Sequence, residues 1–132
     1  MAVRRRVADA MVTCPKTHGP ETTVEAIRAL FEDDHVHMAL IVATSGRLVT
    51  TIERPDLAAA PHSDQVGAVG ALAGRTVSAS ADLAAATEIL LRDGRRRLAV
   101  VDDGGGLLGL LCLKRDRTGF CSDEGIRRRA AA

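Results

Sequence analysis

Two stretches of this chain share one layout about 60 residues apart, and this repetition limits the folds open to it. Residues 35–52 read HVHMALIVATSGRLVTTI and residues 95–111 read RRRLAVVDDGGGLLGLL. In each stretch, basic residues lead into a short β-prone run, a polar turn with glycine follows, and a second apolar run closes the pattern. Short apolar runs separated by a glycine-bearing turn predict a β-hairpin. The sequence therefore predicts two hairpins of the same design.

A helical pattern of similar length precedes each hairpin. In the first copy, Thr22 and Glu25 have the spacing of a capping box, which predicts the start of the helix. In the second copy, Asp82 is the predicted N-cap. Apolar residues at helical spacing define the predicted buried faces. These residues are Val24, Ile27, Leu30 and Phe31 in the first helix and Leu83, Ala86, Ile89 and Leu90 in the second.

Short segments on either side complete each copy. Extended pieces at 14–18 and 75–79 precede the helices, and residues 61–68 form the predicted linker. A short helix with Pro55 in its first turn follows the first hairpin, and a more irregular segment follows the second. Because one such unit leaves an apolar sheet face uncovered, two are expected to form one compact module. The two units occupy residues 1–66 and 67–132.

Composition favours a globular chain without a membrane span. Hydrophobic residues make up 46% and charged residues 27% of the 132 positions, which is ordinary globular usage. No apolar run approaches the ~18 residues of a transmembrane helix, and the basic start lacks a signal-peptide core, so the cytoplasm is the expected location. Cys14, Cys112 and Cys121 are an odd set without C-x-x-C spacing, which argues against a disulfide framework and a zinc site.

The charged residues do not favour nucleic-acid binding. Arginine triplets occur at 4–6, 95–97 and 127–129, but the net charge is only +1 and the chain has no Trp or Tyr for base stacking. His35 and His37 form an H-x-H pair on one strand face. Since no further ligand stands at a fixed spacing from this pair, no metal site is predicted.

The order of these motifs, given twice, resembles a pair of CBS domains, the tandem also called a Bateman module. The resemblance covers about residues 7–120 and is clearest in RRRLAVVDDGGGLLGLL. It implies an α/β (α+β) fold of tandem βαββα units related by pseudo-twofold symmetry. It also implies clefts that take adenosyl ligands such as AMP, ATP or S-adenosylmethionine, regulation of an attached or partner protein, and pairing into homodimers. It implies no catalysis.

The resemblance also implies where a nucleotide would bind. In family members that bind nucleotides, a residue with a hydroxyl group reaches a phosphate. Three residues later, a carboxylate accepts hydrogen bonds from the ribose hydroxyls. In the first copy, Asp56 stands at the carboxylate position and Glu53 at the hydroxyl position, where a second anion opposes a phosphate. In the second copy, Cys112 and Arg115 occupy these positions, and Asp116 lies one residue late.

Other expected contacts lie at the starts of strands. Arg97 and its counterpart His37 precede the apolar strands, at positions where the family often has a basic residue near the cleft. Arginine suits an anion because its donors form a fork. Adenine-side contacts are expected from the backbone around the first strand of each copy. The full predicted ligand-binding set is Thr17, His18, Asp56, Thr76, Val77, Arg97 and Asp116, with no catalytic residue and no metal ligand.

Two functions from different classes fit these features. The first is a stand-alone, non-enzymatic regulatory module that binds an adenosyl ligand and controls a partner protein, with no other cofactor. The second is a structural homodimerisation module whose cleft binds nothing, as Glu53, Cys112 and Arg115 suggest. An enzyme is not predicted, because no nucleophile and base stand in a recognisable arrangement.

Overall fold

A computed structural model describes residues 5–58, 60, 65–117 and 119–121. The predicted basic tail, including the arginines at 127–129, lies outside the described residues, as does Arg4. In chain order the elements are the 3-10 turn η1 (Val7–Asp9), β1 (Thr17–His18), α1 (Val24–Leu30), β2 (Ala39–Val42), β3 (Leu48–Ile52), α2 (Arg54–Leu57), the 3-10 turn η2 (Val66–Ala68), β4 (Thr76–Ser78), α3 (Leu83–Arg92), β5 (Arg97–Val101) and β6 (Leu107–Cys112).

The first copy forms a three-stranded sheet in the order β1-β2-β3. β1 runs parallel to β2, and β2 runs antiparallel to β3, so the predicted first hairpin is confirmed. The predicted short helix with Pro55 in its first turn is confirmed as α2. One face of α1 packs on the sheet, where Ile27 and Ile41 are fully buried in the same apolar core.

The second copy forms a separate three-stranded sheet in the order β4-β5-β6. β4 runs parallel to β5, with Thr76 opposite Ala99, and the predicted second hairpin coincides with β5 and β6. After β6 the described residues form a turn in which Arg117 N donates to Lys114 O, at 2.8 Å, in line with the predicted irregular exit. The predicted mixed α/β fold is therefore confirmed.

The predicted N-cap is confirmed for the helix of the second copy and is wrong for the helix of the first. Asp82 caps α3 as predicted, because its carboxylate accepts from Ala85 N. The capping box predicted from Thr22 and Glu25 is wrong. Thr23 is the N-cap of α1, since its backbone is extended and its hydroxyl oxygen accepts from Ala26 N at 3.2 Å.

Ile89 is the one predicted core position of α3 that lies at the surface. Its exposed fraction is 36%, whereas Leu83, Ala86 and Leu90 are buried. A residue six positions after Leu83 is rotated by about 240° around the helix, so it lies at the margin of the buried stripe. The corresponding residue of α1, Leu30, is only partly buried.

The chain divides into two compact units that do not follow chain order. As far as they are described, one unit comprises residues 1–15, 76–103 and 108–132, and the other comprises 16–75 and 104–107. Each segment that precedes a copy therefore packs with the elements of the other copy. The boundary between residues 66 and 67 stays a prediction about the repeated units.

Residues 5–12 complete the unit that contains α3. Val7 N donates to Ala81 O at 2.9 Å, and the Val7 side chain is fully buried in the core of that unit. Val12 and Leu110 exchange two backbone hydrogen bonds of 2.8 and 2.9 Å, which adds a short antiparallel bridge to β6.

Residues 65–71 complete the other unit in the same way. Val66 is fully buried, its N–H donates to Thr22 O at 2.8 Å, and Ala71 and Thr51 exchange backbone hydrogen bonds. The prediction of a linker at 61–68 is therefore wrong for its described residues, because Val66 belongs to the core. Residues 61–64 lie outside the described part of the chain.

Gly109 permits the close crossing of Val12 over β6. A Cβ atom added at Gly109 would overlap Val12 O and would lie 2.9 Å from the Met11 sulfur. Because the oxygen belongs to the backbone of a paired segment, it cannot turn aside as a flexible side chain would.

At the corresponding crossing in the other unit, the glycine lies on the crossing segment. Gly70 has φ +85°, and a Cβ atom there would overlap Thr51 O. The strand position that corresponds to Gly109 holds Thr50, whose hydroxyl donates to Val69 O at 2.8 Å. Each crossing thus has one glycine, on opposite partners in the two units.

The cysteines depart from the sequence expectation. Cys112 and Cys121 are paired in a disulfide, with their Cα atoms 5.3 Å apart, whereas Cys14 is free and exposed. The expectation of no disulfide is therefore wrong. The pairing arises because Leu113 and Phe120 form an antiparallel bridge and Cys121 N donates to Cys112 O, which places the two thiols side by side.

The helices in the described part of the chain are all short. None of them has the length and apolar character needed to cross a membrane.

We expect Gly109→Ala to lower the free energy of unfolding by about 1–3 kcal/mol, because the new methyl group overlaps the Val12 carbonyl. Gly119→Ala is the matched control, since a Cβ atom at Gly119 meets nothing within 4 Å. Urea denaturation of both variants checks this. Equal stability of the two variants would show that the crossing tolerates a side chain.

Candidate functional site

The predicted site residues are divided between the two units. Thr17, His18 and Asp56 belong to the unit of the first copy. Thr76, Val77, Arg97 and Asp116 belong to the other unit.

In the first copy, Thr17 and His18 make up β1 at the edge of the sheet. Thr17 lies opposite Leu40 of β2, and Leu40 lies opposite Thr51 of β3. Two strand spacings, about 10 Å, therefore separate Thr17 from Thr51 across the sheet. An edge strand has one side whose backbone groups pair with no neighbouring strand, and such groups suit hydrogen bonding to a heterocycle.

His18 is half-buried, and its environment disfavours the charged imidazolium. Burial, and secondarily the positive charge of Lys16, lower the pKa of His18 below its ordinary value of 6.5. His18 is therefore neutral at pH 7 and offers one donor and one acceptor nitrogen.

Asp56 lies at the start of α2, directly after β3. Its Oδ2 accepts from Glu53 N at 2.8 Å, so Asp56 and Glu53 form the capping box of this short helix. Pro55 occupies the first turn, where its missing N–H leaves no bond unmade. The Asp56 carboxylate is thus fixed by its own helix, with 18% of the side chain exposed.

Arg75 joins the two carboxylates of this helix start. Its Nη1 and Nη2 donate to Asp56 Oδ2 and Oδ1, at 2.6 and 3.1 Å, and its Nε lies 3.2 Å from Glu53 Oε1. Nη1 also donates to Thr51 O at 3.2 Å. Only 12% of the Arg75 side chain is exposed. The Asp56 hydrogen bond and the charges of both carboxylates raise the pKa of Arg75, so it stays charged. We call Glu53, Asp56 and Arg75 the acid–arginine cluster.

Arg75 was not among the residues predicted from the sequence. A signal for it exists, because Arg75 precedes β4 as Lys16 precedes β1, so both copies have a cation at this place. The partner of that cation is a carboxylate about 20 residues earlier, which no local pattern reveals.

In the second copy, the predicted site residues lie on three elements. Thr76 and Val77 are half-buried in the edge strand β4, and Arg97 is the half-buried first residue of β5. Asp116 is exposed in the turn after β6. The carboxylate and hydroxyl positions hold Arg115, which is exposed, and Cys112, which is in the disulfide. No counterpart of the acid–arginine cluster therefore exists at these two positions.

A cavity of about 250 Å³ lies in the first unit and is lined by none of the predicted residues. Its lining residues are Arg28, Phe31, Glu32, Arg54 and Leu57. Arg54 stacks over the Phe31 ring, 5.1 Å from its centroid, and donates to the carbonyls of Phe31, Asp33 and Val36. Arg28 donates to the carbonyls of Leu57 and Ala60. Both guanidinium groups thus serve to hold the loops after α1 and α2.

The histidine pair does not assemble a metal site within the described ranges. His35 Nδ1 lies 3.1 Å from Asp33 Oδ1, and both side chains are largely exposed. Among the residues that the structure describes, no group of three or more His, Cys, Asp or Glu side chains is placed to hold a metal ion.

Comparison with known proteins identifies the second copy. Residues 74–115 match the family model of the CBS domain. The second copy is therefore a CBS domain, and the whole chain has the fold of a CBS-domain pair. No curated protein matches the chain in sequence.

Three solved structures illustrate the likeness of fold. CBSX2, solved in complex with AMP, is 24% identical with a TM-score of 0.70, covering 96% of each chain. The CBS pair of the putative Mg²⁺ transporter SO5017 from Shewanella oneidensis MR-1 is 20% identical with a TM-score of 0.69, over 91% of this chain and 68% of that one. The cytosolic domain of the Mg²⁺ channel MgtE, solved with ATP, is 21% identical with a TM-score of 0.62, over 79% of this chain and 44% of that one.

We expect Arg75→Gln to lower the free energy of unfolding by about 1–3 kcal/mol, because two partly buried carboxylates lose their shared cation. The free energy of unfolding of Arg75→Lys should lie between those of the unmodified protein and Arg75→Gln, since lysine keeps the charge without the bidentate fork. Arg92→Gln is the control: its pair with Asp93 is exposed, so denaturant midpoints should not change. If Arg92→Gln loses as much stability as Arg75→Gln, the prediction is contradicted.

The lowered pKa of His18 makes stability depend on pH. Between the folded-state pKa and the ordinary value of 6.5, the unfolded chain binds more protons than the folded one. The free energy of unfolding should therefore fall as the pH falls from above 6.5 through the folded-state pKa. His18→Gln should flatten this part of the curve, and His35→Gln should not. Melting curves across this pH range provide the measurement. If stability depends on pH in His18→Gln as it does in the unmodified protein, the prediction is wrong.

Proposed function

We propose that this chain is a non-enzymatic regulatory module that binds an adenosyl ligand of the AMP, ATP or S-adenosylmethionine type and thereby regulates a partner protein. The observation that carries the proposal is the Asp56 carboxylate, which is fixed at the start of α2 and mostly shielded from water. The CBS-pair fold, together with neighbours of that fold solved with AMP and ATP, supports it.

Asp56 has the chemistry that a ribose requires. A carboxylate offers two acceptor oxygens, which match the two hydroxyls of a cis-diol, and its charge strengthens both bonds. The capping box holds the group in place before a ligand arrives, so little side-chain entropy is lost on binding.

The remaining predicted residues supply the other contacts of the proposal. Backbone groups of Thr17 and His18 in edge strand β1, and of Thr76 and Val77 in edge strand β4, are proposed to contact adenine. Arg97 is proposed to pair with an anion and Asp116 with a second ligand. A homodimer and a cytoplasmic location also belong to this proposal.

Thermal-shift and calorimetric screening with adenosine, AMP, ATP and S-adenosylmethionine tests the proposal. A ligand at about 100 times its Kd should raise Tm by roughly 10 °C for a chain of this size. Asp56→Ala should abolish the response to every ligand that the unmodified protein binds. Asp56→Asn, which keeps an acceptor for Glu53 N, separates loss of binding from loss of folding.

A second candidate function is a structural homodimerisation module with an unused cleft. Arg75 favours it, because this residue already satisfies both oxygens of Asp56. On this reading none of the four compounds changes Tm or releases heat, while sedimentation still shows a dimer. A ligand response that is lost in Asp56→Asn while the variant remains folded excludes it.

A further inference from the structure

The cavity of the first unit is bordered by two cations and one anion. Arg28 lies in α1, Glu32 follows that helix, and Arg54 begins α2. Phe31 and Leu57 are the buried apolar residues of the same lining. All five residues belong to one compact unit, so the cavity is formed within that unit.

The two guanidinium groups of the cavity are held in place without being neutralised. In the described part of the chain, neither Arg28 nor Arg54 forms an ion pair with a carboxylate. Both donate to backbone carbonyls instead, as Arg28 Nη2 does to Ala60 O and Arg54 Nη2 to Val36 O, each at 2.9 Å. A carbonyl oxygen accepts a hydrogen bond but carries no net charge. Two positive charges therefore border one small cavity, and an anion there is attracted by both.

Arg28 also has hydrogen-bonding capacity that the fold does not use. A guanidinium has five N–H donors, and Arg28 makes both of its carbonyl bonds through Nη2. Its Nε is buried and has no hydrogen-bond partner among the residues that the structure describes. Because a buried donor without a partner is unfavourable, a ligand that supplies an acceptor beside this guanidinium is stabilised.

We infer that this cavity is a binding site for one small oxyanion, either phosphate or a short-chain carboxylate, held by Arg28 and Arg54. The planar donor fork of arginine matches the paired oxygens of both groups. The volume of about 250 Å³ is below the roughly 300–1,000 Å³ of pockets that take drug-sized ligands, so the ligand is small. This site is independent of the proposed function, because none of the predicted ligand-binding residues lines the cavity.

Glu32 is the carboxylate among the described lining residues, and it opposes an anion in the cavity. Its side chain is exposed, so water and salt screen part of this repulsion. Removing the charge of Glu32 should therefore tighten anion binding by about threefold, without removing a side-chain contact that the fold uses. Glu25→Gln is the matched control, since it removes an exposed carboxylate from the first turn of α1.

Titration of the ¹⁵N-labelled full chain with inorganic phosphate, and separately with acetate, tests the inference by NMR at constant ionic strength. The N–H resonances of Arg28 and Arg54 should shift and saturate with one Kd below about 10 mM for at least one of the two anions. Those of Arg47, an exposed arginine in the turn between β2 and β3, should not follow. Glu32→Gln should lower the Kd by about threefold, and Glu25→Gln should leave it unchanged.

A second variant tests the donor fork. Arg28→Lys keeps the charge but loses the fork, so its Kd should rise at least about fivefold, with melting curves to show that it folds. No saturable shift at Arg28 and Arg54 with either anion overturns the inference, as does a Kd that Glu32→Gln leaves unchanged. A phosphate response that is lost in Asp56→Asn and kept in Arg28→Lys belongs to the Asp56 site and also overturns it. Saturation by phosphate alone or by acetate alone identifies which of the two anions the site takes.

Discussion

The structure depends on two short antiparallel crossings that close its apolar cores. A three-stranded sheet with one helix leaves part of its apolar face open, and each unit closes that gap with a segment that precedes the other copy. Val7 and Val66 fill equivalent places in the two cores, and both are fully buried. Two backbone hydrogen bonds at each crossing, between Val12 and Leu110 and between Thr51 and Ala71, fix the segments in register. Each core thus includes a buried valine from the segment that leads into the first strand of the other copy.

The crossings also show how the two copies diverged without losing the fold. Two backbones can approach this closely only where one partner lacks a side chain, and that partner is Gly109 in one unit and Gly70 in the other. Where glycine is absent from the strand, Thr50 takes its place and donates a hydrogen bond to the crossing segment. The requirement for a glycine therefore applies to the strand and the crossing segment together, and not to either one alone. For this reason the equivalent strand position is glycine in one copy and threonine in the other.

Most features that depend on local pattern were predictable from the sequence, apart from the cap of α1 and the burial of Ile89. Features that depend on distant contacts were not. Hairpins, the apolar faces and the Asp82 cap follow from residues within one turn or one pair of strands. The burial of Val66 and the disulfide depend on backbone pairing that brings separate segments together. Arg75 shows the same limit in the site, because its contact with Asp56 spans 19 residues and depends on β3 and α2 to place the carboxylate beside it. Asp56 itself was predicted from the resemblance to nucleotide-binding CBS domains, which have a carboxylate after the hairpin.

Arg75 links the stability of the first unit to the ligand site that we propose at Asp56. The guanidinium stabilises two carboxylates that the capping box holds side by side, so the unliganded state is already low in free energy. A ligand that shares Asp56 with Arg75 gains only the difference between its own hydrogen bonds and those it weakens. If the guanidinium must move, the apparent affinity equals the intrinsic affinity multiplied by the fraction of molecules in which it has moved. The contact that orders the site in the absence of ligand therefore sets a lower limit on the strength of interaction that a ligand must supply.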